Sequence, residues 1–212
     1  MTFVQAFRQC PLVAILRGVE PDEVVALGHV LVEAGFTIIE VPLNSPDPFA
    51  SIARLAAAFP DRIIGAGTVT STEAVDRVRD AGGRIILMPH SDGAVIRQAK
   101  ARGLTCVPGV SSPTEAFAAL ANGADGLKLF PAEQMPPPVV KAWRAVLPPD
   151  VILMPVGGIT PPVMAGYRAA GADGFGLGSA LYKPGMTAGD LAATAAAFQA
   201  AMTLSRPGAG VV

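Results

Sequence analysis

Short apolar runs recur along the chain, at positions 12–16 (LVAIL), 37–41 (TIIEV), 63–67 (IIGAG) and 84–88 (RIILM). The second half repeats the phrase at 104–107 (LTCV), 126–130 (GLKLF), 152–156 (ILMPV) and 174–178 (GFGLG). Each run is nearly continuous in apolar character rather than alternating. That pattern predicts strands buried on both faces, as in a parallel sheet covered by helices. The segments between them carry helix punctuation. Ser112 with Pro113 and Glu115, and Thr70 with Glu73, read as capping boxes, and Thr160 with Pro161 opens another helix. Gly35, Gly82, Gly103, Gly123 and Gly171 each follow a helical stretch where a left-handed residue is needed to stop it.

Eight strand–helix units in one chain favour a closed (βα)8 TIM barrel of the α/β class, at the lower end of that fold's usual length. A doubly wound open sheet is the alternative. No G-x-G-x-x-G follows the first run, and no acidic residue follows the second in a dinucleotide-binding context. The residues before Leu12 mix apolar and polar positions and are expected to form a short helix closing the bottom of the barrel. Residues 1–202 are read as a single domain, and the Gly- and Pro-rich stretch 203–212 as a disordered tail.

Composition narrows the partners. The 212 residues hold 16 Lys and Arg against 17 Asp and Glu, a formal net charge of -1, so no basic footprint for nucleic acid or for an acidic membrane stands out. Apolar runs are all interrupted well short of a membrane span. Cys10 and Cys106 have no metal-ligand spacing, and the N-terminal segment lacks the pattern of a secretory signal. The expectation is a cytoplasmic protein that handles small molecules. Neither His29 nor His90 has a second ligand at helical spacing, so a metal-dependent mechanism is not expected. His29 is read as a surface or packing residue, His90 as a residue at the pocket mouth, and Cys106 as a core residue.

Active sites of such barrels gather at the C-terminal ends of the strands. The polar residues closing the runs are Arg17-Gly18, Glu40, Thr68, Pro89-His90, Lys128, Gly157-Gly158 and Gly178-Ser179, and they are predicted to converge on one pocket. Strand alternation puts Lys128 and Phe130 on one face and Leu127 and Leu129 on the other. A lysine there is hard to solvate, which lowers its pKa and frees the amine as a nucleophile toward a ketone. Glu40, on the face of Ile38 and Pro42, is either its ion-pair partner or a proton shuttle. Arg17 is placed to hold a carboxylate or phosphate, or is a solvated surface residue. The Gly157-Gly158 turn and the Gly178-Ser179 turn, on consecutive strands, suit a phosphate held by backbone N–H groups.

Over nearly its whole length the sequence resembles the class I 2-keto-3-deoxy-6-phosphogluconate and 2-keto-3-deoxy-6-phosphogalactonate aldolases. The motifs are VAILRG at 13–18, IEVPLN at 39–44, GAGTV at 65–69, PTEA at 113–116, LKLFP at 127–131, VGGI at 156–159 and LGS at 177–179, in the family's order. The resemblance implies that Lys128 is the Schiff-base lysine and Glu40 the proton shuttle, acting through a water. Arg17 and Thr68 would contact the pyruvate half, and Gly157, Gly158, Gly178 and Ser179 would cradle the phosphate. Pro89, Phe130, Asn44 and Val156 complete the expected substrate contacts. The resemblance also implies a homotrimer, no cofactor, and cleavage to pyruvate and glyceraldehyde 3-phosphate. Asn44 and Val156 look like the galactonate branch, since the gluconate branch usually carries an arginine and a threonine there. Two other readings stay open on the residues alone: a phosphosugar isomerase or synthase using Lys128 and Glu40 as acid and base, and a sugar-phosphate-binding protein without turnover.

Overall fold

The computed structural model describes residues 1–204. Its first half runs α1 (Phe3–Gln9), β1 (Leu12–Ile15), α2 (Val24–Glu33), β2 (Ile38–Pro42), α3 (Pro48–Ala58), β3 (Ile63–Gly67), α4 (Thr72–Asp80), β4 (Ile85–Leu87) and α5 (Gly93–Ala101). There follow β5 (Thr105–Val107), β6 (Gly109–Val110), α6 (Pro113–Ala121), β7 (Leu127–Leu129), α7 (Pro137–Arg144), β8 (Leu153–Pro155), α8 (Pro161–Ala169), β9 (Phe175–Leu177) and α9 (Ala188–Leu204). Every apolar run of the sequence becomes a strand. The fifth differs in one respect: Pro108, which has no N–H for a ladder, ends β5, and the two-residue β6 follows beyond the run.

All strand pairs are parallel. One sheet has the order β5-β4-β3-β2-β1-β9 and the other β6-β7-β8. The sheets approach each other at two seams. At Pro108 the carbonyl accepts from the N–H of Lys128, 2.9 Å, and at the other seam Val156 forms an isolated bridge with Gly176. The buried residues sort by alternation. Leu12, Ala14 and Leu16, Ile39 and Val41, and Leu127 and Leu129 pack with the helices. Val13, Ile15, Ile38, Ile63, Ile85, Leu87, Val107, Met154 and Val156 pack on one another instead, so the opposite faces of both sheets share one apolar interior. Burying each such side chain is worth about 1.5–3 kcal/mol.

Helix α1 covers the N-terminal ends of the strands, as expected, with Phe3, Ala6 and Phe7 joining that interior. Thr37 anchors it by donating to the Ala6 carbonyl at 2.8 Å. Two clamps repeat at this end. Asp125 pairs with Lys100 at 2.6 Å and accepts from the Cys106 N–H at 2.8 Å. Asp173 pairs with Arg144 at 2.5 Å and accepts from the Leu153 N–H at 2.8 Å.

Helix caps largely follow the sequence. Ser112 and Glu115 form the reciprocal box over the start of α6, and the five helix-ending glycines all have positive φ. Thr70 does not cap α4: Ser71, one residue later, accepts from the Ala74 N–H at 3.2 Å. Ser71 is the residue in extended conformation immediately before the helix, so its hydroxyl rather than that of Thr70 reaches the free N–H. Helix α9 continues through Thr203 and Leu204, beyond the expected start of the tail, and the remainder of that stretch lies outside the described residues.

Candidate active site

Lys128 is central to β7, between two leucines that face the helices, so its side chain turns into the shared interior. It is 5% exposed, and its Nζ lies 4.6 Å from the centre of the Phe130 ring. Glu40 enters from β2 and is 1% exposed. Space for its carboxylate exists because residue 67 is glycine. A Cβ there would sit 2.0 Å from Glu40 Oε2. Burial pushes the Glu40 carboxyl up to about 7, against the opposing pull of Lys128, Arg17 and the Gly67 backbone N–H. Burial likewise lowers the Lys128 ammonium, opposed by Glu40 and reinforced by Arg17. One carboxylate oxygen, Glu40 Oε2, has no hydrogen-bond partner. A buried amine and a buried carboxyl, each displaced toward neutrality, are thus held within electrostatic reach of each other.

Arg17 stands above this pair at the end of β1. It donates to Asn44 Oδ1 at 2.5 Å and reaches Thr68 Oγ1 at 3.5 Å, so three loops meet at one guanidinium. Thr68 takes φ of +57°, a left-handed conformation that costs a non-glycine residue roughly 1–2 kcal/mol. The strain accompanies the turn that brings its hydroxyl toward Arg17. Ser45, buried on the loop after β2, accepts from the Gly18 N–H at 2.9 Å and fixes the backbone next to Arg17.

A cavity of about 390 Å³ opens over these groups. Its wall includes Arg17, Lys128, Phe130, Val156, Gly157, Gly158, Gly178 and Ser179, eight of the residues the sequence singled out. Gly157 and Gly158 have φ of +105° and +64°, which exposes their backbone to the cavity without side chains. Asn44 and Thr68 join through Arg17, and Glu40 through its coupling to Lys128. Pro89 is not part of the wall; its backbone lies against Gly109, the ladder partner of Lys128. His90 is exposed and also outside it. His29 packs edge-on against Phe59, and Cys106 is buried beside Met88.

The sequence reading missed charged members of the wall, Glu133 and Lys183. Lys183 lies four residues beyond Ser179, past the point where the Gly-Ser motif ends, so only the return of the chain over the strand ends reveals it. Glu133 arrives on a single 3-10 turn, Ala132–Gln134, that folds its side chain onto Gly157 and Gly158. A larger cavity, about 560 Å³, lies at the other end of the strands beside α1, away from Lys128. Among the described residues no group of three or more His, Cys, Asp or Glu is placed to hold a metal ion, and no helix is long and apolar enough to cross a membrane.

Comparison with known proteins gives this arrangement a class. A family model for KDPG and KHG aldolase matches residues 4–197, which makes the protein an aldolase, a carbon–carbon lyase. A protein of Rhizobium meliloti (strain 1021) named "Probable 2-dehydro-3-deoxy-6-phosphogalactonate aldolase" is 51% identical over 90% of this chain and 91% of its own length. The Escherichia coli (strain K12) protein named "2-dehydro-3-deoxy-6-phosphogalactonate aldolase" is 45% identical over 89% of this chain and 92% of its own. A solved structure described as "Native KDPGal structure" superposes with a TM-score of 0.91 at 43% identity, covering 93% of this chain and 96% of that one. This chain belongs to the KDPG and KHG aldolase family.

Proposed function

We propose that this protein cleaves 2-dehydro-3-deoxy-6-phosphogalactonate to pyruvate and D-glyceraldehyde 3-phosphate through a Schiff base on Lys128. The observation that carries the reading is the buried Lys128 amine coupled to the buried Glu40 carboxyl at the foot of a cavity walled by two glycine turns. The names of the relatives at 51% and 45% identity support the substrate. Lys128 Nζ adds to the C2 ketone and water leaves, forming an iminium. Glu40 takes the C4 hydroxyl proton, the C3–C4 bond breaks, and its electron pair moves into the iminium to give an enamine. The aldehyde departs, C3 is protonated, and water releases pyruvate and the lysine.

In this reading Arg17, with Asn44 and Thr68, meets the carboxylate end of the substrate. Gly157, Gly158, Gly178 and Ser179 meet the phosphate with backbone N–H groups, and Phe130 and Val156 form apolar wall. No cofactor, metal, nucleic acid or membrane takes part. The two sheets close into one (βα)8 barrel over residues 1–202, a closure supported by the Pro108 and Val156–Gly176 seams and by the common interior. The enzyme works as a homotrimer in the cytoplasm.

The test is trapping. Incubation with pyruvate and borohydride adds a reduced pyruvate to the intact mass of the wild type and not to that of Lys128→Met. An unmodified wild type refutes the Schiff base. Comparing the galactonate and gluconate epimers as substrates tests the branch, and a strong preference for the gluconate epimer overturns it.

A further inference from the structure

Beyond β9 the chain turns back across the strand ends. The N–H groups of Leu181 and Tyr182 donate to the Gly178 carbonyl at 2.8 and 3.1 Å, which brings Ser179, Ala180 and Lys183 onto the cavity wall. Lys183 is held between two anchored neighbours. On one side Tyr182 is 2% exposed, and its phenol donates to Glu23 Oε1 at 3.0 Å. On the other, Pro184 packs on Gly18: a Cβ at Gly18 would lie 2.8 Å from Pro184 Cγ. Burial and the Glu23 carboxylate both push the Tyr182 phenol up, so it stays a donor. Glu23 and Gly18 belong to the segment after β1 that also carries Arg17.

Charge decides what Lys183 is for. A phosphate monoester brings between one and two negative charges, about -1.5 to -2 at neutral pH. The glycine turns offer dipoles only, and Glu133 adds a carboxylate, its Oε2 only 2.4 Å from where a Gly157 Cβ would be. The cations on the wall are Arg17, Lys128 and Lys183. Arg17 is tied to Asn44, and Lys128 is buried beside Glu40. Lys183 is exposed to the cavity and, among the described residues, makes no ion pair.

We propose that Lys183 is the cation that contacts the substrate phosphate, and that Tyr182, through its hydrogen bond to Glu23, is the positioning residue that keeps it there. The inference rests on the aldolase reading above. Through Tyr182–Glu23 and Pro184–Gly18, the loop that grips one anionic end of the substrate is fastened to the loop that grips the other.

The experiment compares aldol addition of pyruvate to glyceraldehyde 3-phosphate and to glyceraldehyde. In Lys183→Gln the ratio of the two kcat/KM values falls by about 10- to 100-fold, the loss of one charge-assisted contact. Lys183→Arg recovers most of it. Tyr182→Phe raises KM for the phosphorylated aldehyde several-fold with kcat nearly kept, and Glu23→Gln, which retains an acceptor, is milder than Glu23→Ala. An equal fall for both aldehydes in Lys183→Gln overturns the assignment. Calorimetric binding of inorganic phosphate checks the same residue without turnover: about 10-fold weaker binding in Lys183→Gln supports it, and unchanged binding refutes it. Failure of the wild type to trap pyruvate sinks the aldolase reading instead, and the phosphate titration still judges Lys183.

Discussion

The two ends of the strands treat charge in opposite ways. At the N-terminal end two aspartates each serve a cation and a strand N–H: Asp125 serves Lys100 and the Cys106 N–H, and Asp173 serves Arg144 and the Leu153 N–H. At the C-terminal end Glu40 keeps an oxygen without a partner, Lys128 is desolvated, and Thr68 holds a strained backbone. Groups satisfied by the protein stabilise it. Groups left unsatisfied are available to a substrate, and the fold tolerates them because the other end is so well tied.

That contrast breaks most sharply at Lys128. Lys128→Met is expected to lower kcat by more than about 10⁴-fold while raising or preserving the melting temperature, since a methionine suits the apolar interior better than an amine. A destabilised Lys128→Met would mean that the amine is structural. Next comes Glu40→Gln, with an expected loss of about 10²- to 10⁴-fold in kcat. In the proposed mechanism the deprotonated carboxylate is the base, so wild-type kcat/KM should rise with pH through about 7, and this limb should vanish in the variant. The stability sign follows from the same shift. A carboxyl raised from 4.5 to about 7 by folding subtracts stability as pH climbs through that window, so the melting-temperature gain of Glu40→Gln should be larger at about pH 8 than at about pH 5.

At the other end the order of effects reverses. Asp173→Ala leaves the Leu153 N–H without its acceptor and should cost about 1–3 kcal/mol in denaturant unfolding, with kcat within about twofold of wild type. A large kcat loss in a variant that folds normally would show that the two ends are not independent. The smallest effect belongs to Glu133→Gln. Removing a negative charge from the glycine turn should lower KM for the phosphorylated substrate a few-fold, and a raised KM would show that Glu133 instead binds a substrate hydroxyl.

Most of the scaffold was legible because parallel strands buried on both faces write themselves as continuous apolar runs, and helix ends as Ser-Pro-x-Glu and glycine. Lys128 and Glu40 were legible for a related reason: a charge inside such a run conflicts with its surroundings. The break at Pro108 is hard to see in the sequence because the proline lies just past the end of a run, and the Ser71 cap because two adjacent hydroxyls look alike until backbone geometry selects one. Pro89 closes its strand as the other site residues close theirs, but its backbone lies against Gly109 and outside the cavity wall. Lys183 and Glu133 carry no sequence conflict at all. They are ordinary charged residues in turns, and only long-range folding brings them to the cavity.

Gly67 shows how a residue with no reactive atom can set the aim of one that has. A Cβ at 67 would overlap the Glu40 carboxylate, so any side chain there displaces the end of that side chain. The missing side chain on β3 is therefore the socket in which the acid of β2 is seated, and its address relative to Lys128 is written on a neighbouring strand.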